Sequence, residues 1–169
     1  MVKDIIIVTV ATIIMFLLWS FGLEKVYAYF LYYLVYVPVH FVADTSLTLS
    51  VEHAHPLYVV KSMINNKEYS WSLSGELFLL PIVLLISWQI FLFLVLPKKR
   101  ALKILRNNII TLVLAQMFYL FLLTLYWKSS TARLIHDMLN NNLIIITIFL
   151  IIKDSVKNHL FEKKVESGG

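Results

Sequence analysis

Residues 5–42 form one apolar run whose only charges are Glu24 and Lys25 and whose only glycine is Gly22. A bilayer crossing takes about 20 apolar residues, so the run is nearly twice as long as one span needs. Two helices joined at "GLEK" would reverse the sidedness of everything that follows. The run therefore reads as one crossing, 5–22, continued by a helix to residue 42 that lies in the outer leaflet or stands beyond it. It reads as an anchor and not as a cleaved signal: it is too long, Asp4 occupies the place of a positive region, and no small-residue cleavage pattern follows.

The rest of the chain agrees with a bilayer. Of its 169 residues 60% are hydrophobic and 14% aromatic, well outside the usual range of soluble domains. Two further segments, 76–96 and 106–127, have the length of a crossing. A fourth begins near Thr131 and ends near Ile152. The net charge of +5 does not imply nucleic-acid binding, which needs a concentrated basic face with readers beside it. Instead the bases mark sidedness. Lys98, Lys99, Arg100, Lys103 and Arg106 sit between the second and third spans, and Lys153, Lys157, Lys163 and Lys164 follow the fourth. By the positive-inside rule both groups are cytoplasmic, which puts both termini and the tail 153–169 inside. The closing "ESGG" is read as a tail without function. The expected fold is a single α-helical membrane domain with four spans, integral to an inner membrane.

Residues 45–74 break the pattern. Leu47, Leu49 and Val51 alternate with polar residues, as do Tyr69, Trp71 and Leu73; a period of two predicts strands with one apolar face. Asn65-Asn66 suits a tight hairpin, because asparagine tolerates positive φ. A three-stranded antiparallel meander on the extracytoplasmic side follows. So small a sheet is not stable alone. Its apolar face must lie on the extended first helix, on lipid or on another protein.

No cysteine is present, so disulfides, thiolate ligands and a cysteine nucleophile are excluded. His53 and His55 in "EHAHP" are the metal-like residues of the loop. On a strand only those two converge, Glu52 pointing the other way, and zinc takes three or four ligands. The Ala54-His55-Pro56 step reads as a turn between strands. No metal or cofactor is expected. Tyr29, Tyr33 and Tyr36, with Tyr32, share one helical face, either an interfacial aromatic belt or a docking face. Gln89 and Gln116 fall at similar depths on consecutive helices and form an expected interhelix pair. At the outer start of the fourth span, Arg133, His136, Asp137, Asn140, Asn141 and Asn142 make the densest polar cluster, with Arg133 and Asp137 spaced to pair across one turn. Three asparagines in a row cannot all avoid lipid on a helix half surrounded by it. That turn therefore lies at the interface or among protein or water.

In length, in four spans and in a small sheet between the first two, the chain resembles lipoprotein signal peptidase. That family carries two aspartates near the outer ends of its third and fourth spans; here Asp137 stands alone without the motifs, so the resemblance implies topology and no catalytic residue. The chain is also similar in layout to the small membrane proteins encoded with exosortases. The shared pattern is a first span running into an aromatic helix, a β-rich outer loop with tryptophan, a second span like "LPIVLLISW", and a basic turn like "LPKKRALKIL". It covers most of residues 5–127. The resemblance implies a non-catalytic companion of a sorting, export or assembly machine, partnered by a larger integral membrane protein or by its own copies. Tyr29, Tyr33, Tyr36, Leu49, Tyr69 and Trp71 are then the expected contact residues. The alternative is a membrane enzyme or lipid-handling protein using the outer polar cluster. A pore is disfavoured, because no span carries a polar face wide enough to line water.

Overall fold

The structure is a computed structural model that describes residues 2–42, 45–52, 55–140 and 142–158. Asp44, His53, Ala54, Asn141 and the tail from residue 159 lie outside the described residues. The chain runs α1 (Val2–Leu18), a π-helical turn (Trp19–Leu23), α2 (Glu24–His40), β1 (Thr45–Glu52), β2 (His55–Ile64), β3 (Lys67–Ser74), a 3-10 turn (Gly75–Phe78), α3 (Leu79–Val95), α4 (Lys98–Leu125), α5 (Ser130–Asn140) and α6 (Leu143–Lys157). Among the described residues three stretches are long and apolar enough to cross a membrane: Ile6–His40, Gly75–Val95 and Lys98–Leu125.

The first apolar run is one helical rod with a joint where the sequence put its glycine. Gly22 has φ 121°, a conformation that only glycine adopts without strain, and the widened π turn there re-aims α2 relative to α1. Beyond the joint, Ala28, Leu31, Val35 and Val39 are buried. Their spacing of three and four residues is one helical stripe. That stripe receives the sheet.

The sheet has the order β1-β2-β3 and is antiparallel throughout. Asn65 and Asn66 both take positive φ, 52° and 61°, the signature of the tight hairpin turn that matches strand twist. Register pairs Leu47 with Val60 and Val60 with Trp71, and sets Tyr58 between Leu49 and Leu73. One face thus collects Leu47, Leu49, Tyr58, Val60 and Leu73 into the core with α2. Side chains fully buried in this way contribute about 1.5–3 kcal/mol each. The Tyr58 hydroxyl donates to the Ala28 carbonyl at 3.0 Å, and burial raises the Tyr58 pKa far above that of an exposed phenol. Of the three supports open to the sheet's apolar face, the protein uses its own first helix.

Polar contacts set how the long helices meet. Thr12 of α1 and Ser87 of α3 lie 2.6 Å apart. Farther along, Glu24 lies over Gly75, where an added Cβ would be 3.4 Å from its Oε1. The two helices are therefore antiparallel, with the start of α3 level with the start of α2. Thr147 of α6 donates to the Pro81 carbonyl at 3.4 Å, and Asn108 of α4 donates to Asp154 of α6 at 2.6 Å.

Two expectations are corrected. Gln89 and Gln116 do not pair. Gln89 donates to the Ala101 carbonyl at 2.8 Å, and Gln116 accepts the Tyr27 hydroxyl. Because α4 already begins at Lys98, Gln89 lies level with its first turn, and Gln116 is 15 residues, about 22 Å, farther along the helix; each amide bonds the nearest partner. The segment 131–152 is not one straight helix either. α5 and α6 meet at 62°, with Asn140 and Asn142 flanking the break.

Candidate functional site

The sheet-bearing end of the molecule gathers its chemistry around Tyr119 of α4. The ring of His136, brought in by α5, stacks on Tyr119 with centroids 4.6 Å apart and planes inclined by 15°. It also meets Tyr126 edge-on at 5.2 Å. Its Nδ1 lies 3.3 Å from the Asp137 carboxylate, while its buried Nε2 has no partner among the described residues. The Tyr119 hydroxyl donates to Asn140, and this bond fixes the last turn of α5 onto α4. Asn142 turns back to donate to the Met138 carbonyl.

Arg133 does not pair with Asp137. Its guanidinium lies over Tyr126 at 5.1 Å and over Trp127 at 5.3 Å, with Nε donating to the Tyr126 carbonyl at 3.4 Å. Two aromatic faces, each worth about 0.5–1 kcal/mol at an exposed site, outweigh an exposed ion pair that contributes a few tenths. The same two rings receive β3. Trp71 stacks on Tyr126 at 4.9 Å, and Tyr69 on Trp127 at 5.1 Å. Tyr69 and Trp71, expected as partner contacts, thus tie the sheet to the end of α4. Leu49 is likewise packed against the core. The helix tyrosines behave differently: Tyr29, Tyr33 and Tyr36 are 46%, 66% and 47% exposed. Tyr32 beside them turns inward, its hydroxyl 3.4 Å from the Leu47 carbonyl.

A second cluster escaped sequence reasoning. Glu24 is only 5% exposed. Its Oε2 lies 3.2 Å from His55 Nδ1, which is also 3.3 Å from Glu76 Oε1. The other oxygen, Glu24 Oε1, is buried and without a partner among the described residues. One imidazole thus joins a carboxylate of the first helix to one at the head of α3. The signal was present as a lone carboxylate inside the apolar run, but its partners lie far along the chain. His55 starts β2 and pairs with Glu52, so it is a strand residue and not the middle of the turn. Among the described residues no three histidine, aspartate or glutamate side chains are arranged to hold a metal. A cavity of about 330 Å³ lies between the clusters, lined by Glu76, Leu80, Pro81, Asn140 and Leu143.

Chemically, the Tyr119 cluster holds an imidazole wedged between rings, one exposed carboxylate and a stacked guanidinium. The imidazole and the guanidinium are tied into packing, and among the described residues the imidazole's only side-chain hydrogen-bond partner is the Asp137 carboxylate. The fold defines a class, long apolar helices bearing a three-stranded sheet on the extended first one. Comparisons of the chain with protein-family models, curated proteins and solved structures found no match.

Proposed function

We propose that the protein is a non-catalytic accessory or scaffold subunit of an inner-membrane complex for envelope sorting, export or assembly, and that the outward face of α2 is its docking surface. The observation that carries this reading is the position of that face. Gly75–Val95 is 21 residues, about 31 Å of helix, which equals a hydrocarbon core of about 30 Å. Since Glu24 lies over Gly75, a bilayer that this helix spans ends near Glu24. All 17 residues of α2, about 25 Å, then stand above the hydrocarbon. One side of α2 is covered by the sheet. The other exposes Val26, Tyr29, Phe30, Tyr33, Tyr36 and Val37. A contiguous apolar and aromatic patch outside the lipid is the signature of a protein contact.

The sheet supplies a second element. β1 and β3 are both edges, and an open edge captures extended chains by strand addition. Across one end of the sheet a groove of about 570 Å³ opens between the end of α2 and all three strands, lined by His40, Thr45, Ser46, Lys61, Ser62 and Glu68. With the basic ends inside, the sheet faces the extracytoplasmic space. α5 lies along the outer interface with Leu134 and Met138 turned outward, and α6 completes a broken fourth crossing. Purification in mild detergent tests the proposal. A larger integral membrane protein should co-purify in stoichiometric amount, and Tyr33→Lys should lose it while expression is kept. Co-purification that Tyr33→Lys leaves intact would refute the docking face.

The cavity between Glu76 and Asn140 favours one alternative, a lipid-handling protein. On that reading a lone, monodisperse protein with a bound lipid should be recovered, and Asn140→Leu should release the lipid.

A further inference from the structure

We infer that the basic end of the α4–α6 pair is a binding site for the phosphate of an anionic ligand, on the reading that both helices meet a bilayer surface there. A cavity of about 230 Å³ opens between the first turns of α4 and the last turns of α6, lined by Arg100, Lys103, Asn107, Asn108, Lys153 and Lys157, with Asp154 and Asn158 at its side. Four cations face one carboxylate. That carboxylate is already engaged: Asp154 is buried, accepts the Asn108 amide at 2.6 Å and has Lys153 Nζ at 3.9 Å. Lys153 also donates to the side-chain amide oxygen of Asn108 at 3.3 Å, and Asn158 donates to the Asp154 backbone carbonyl at 2.6 Å. The amides and Asp154 thus form a fixed floor that aims Lys153. The side chains of Arg100, Lys103 and Lys157 make no ion pair among the described residues.

Unpaired cations around a small concavity repel one another until an anion enters. The cavity is smaller than the roughly 300–1,000 Å³ clefts that enclose a whole drug-sized ligand, so it suits a headgroup or a phosphate ester's phosphate. Exposed apolar residues adjoin it, among them Ile109, Ile152 and Val156, and these would lie along acyl chains. Basic pockets between membrane helices are a recognised setting for anionic headgroups.

Native mass spectrometry of the full-length protein in detergent tests the site, with phosphatidylglycerol or phosphatidylcholine added in equal amounts. One phosphatidylglycerol per chain should persist under conditions that strip phosphatidylcholine. Each cation near a surface is worth about fivefold in affinity. Lys103→Ala/Lys153→Ala and, separately, Arg100→Ala/Lys157→Ala should therefore weaken retention by about thirtyfold. The second pair leaves the Asn108–Asp154 floor untouched, so its effect does not depend on that floor. Lys98→Ala/Lys99→Ala removes two charges at the same end outside the cavity and should weaken retention clearly less than either cavity pair. Millimolar inorganic phosphate supplies the other arm. If it displaces phosphatidylglycerol, the site serves a soluble phosphate; if it does not, the ligand is the lipid. Equal retention of both lipids, or equal loss in the Lys98/Lys99 variant, would overturn the site. Whether the chain stays with washed membranes tests the bilayer reading separately.

Discussion

Replacing Gly75 by alanine loads the joint on which the sheet, the first helix and α3 converge. A Cβ at this position would lie 2.7 Å from Pro56 Cγ, 3.3 Å from the Pro56 carbonyl oxygen and 3.4 Å from Glu24 Oε1. The proline ring has to retreat by about 0.7 Å to reach ordinary contact. It is held at both ends, by strand pairing of β2 with β1 and by its own backbone oxygen against the same methyl. Overpacking of this kind costs about 1–3 kcal/mol. In a chain of this length each kcal/mol moves the melting temperature by about 2–4 °C, so Gly75→Ala should lower it by about 2–12 °C. The assay is thermal unfolding of the purified protein in detergent, followed by tryptophan fluorescence, since Trp71 and Trp127 touch at the sheet–helix contact. Pro56→Ala removes the clashing Cγ, so the double variant should be more stable than the sum of the single effects allows. A Gly75→Ala protein that melts within about 1 °C of the parent, or a double variant that is merely additive, would refute the close approach of the sheet to the head of α3.

Three further outcomes follow from particular contacts. Asn66→Val forces a β-branched residue to φ 61° and should cost about 1–2 kcal/mol, read as a lower denaturation midpoint, whereas Asn66→Gly should be neutral or stabilising. Gln116→Leu strips the Tyr27 hydroxyl of its acceptor and should cost about 0.6–2 kcal/mol; Gln116→Leu paired with Tyr27→Phe should recover part of it, seen in the same melting assay. Single cysteines at residues 66 and 129 should react with an impermeant thiol reagent applied to the extracytoplasmic side, and one at 102 should not; labelling at 102 would reverse the assigned orientation.

The sheet was legible in the chain because its information is local. Alternation in Thr45–Glu52 and Lys67–Ser74 and two adjacent asparagines fix strands, faces and turn within a few residues. The second span was legible for the same reason. The start of α4 was not: the apolar core begins near residue 106, whereas the helix starts at Lys98 behind Pro97, and hydropathy marks depth in a membrane rather than where hydrogen bonding begins. The partners of Glu24, Gln89 and Gln116 were hidden because each is decided by how distant segments meet. Arg133 illustrates a wrong local rule. Its spacing to Asp137 suits a helical ion pair, but Tyr126 and Trp127 in the turn between α4 and α5 offer a better partner. Three consecutive asparagines marked a polar turn in the chain, but the 62° angle between α5 and α6 and the bond of Tyr119 to Asn140 depend on contacts between segments and were not legible there.

The docking role of α2 is tested most directly by a photo-reactive amino acid placed at Tyr33, on the exposed face, and separately at Val35, which is buried under the sheet. Irradiation of native membranes should give, from position 33, a discrete protein–protein adduct whose partner is an integral membrane protein, and from position 35 only internal links within the chain. Adducts from position 33 consisting of lipid alone would contradict the account, because the outward face of α2 would then be lipid-facing and not a protein contact.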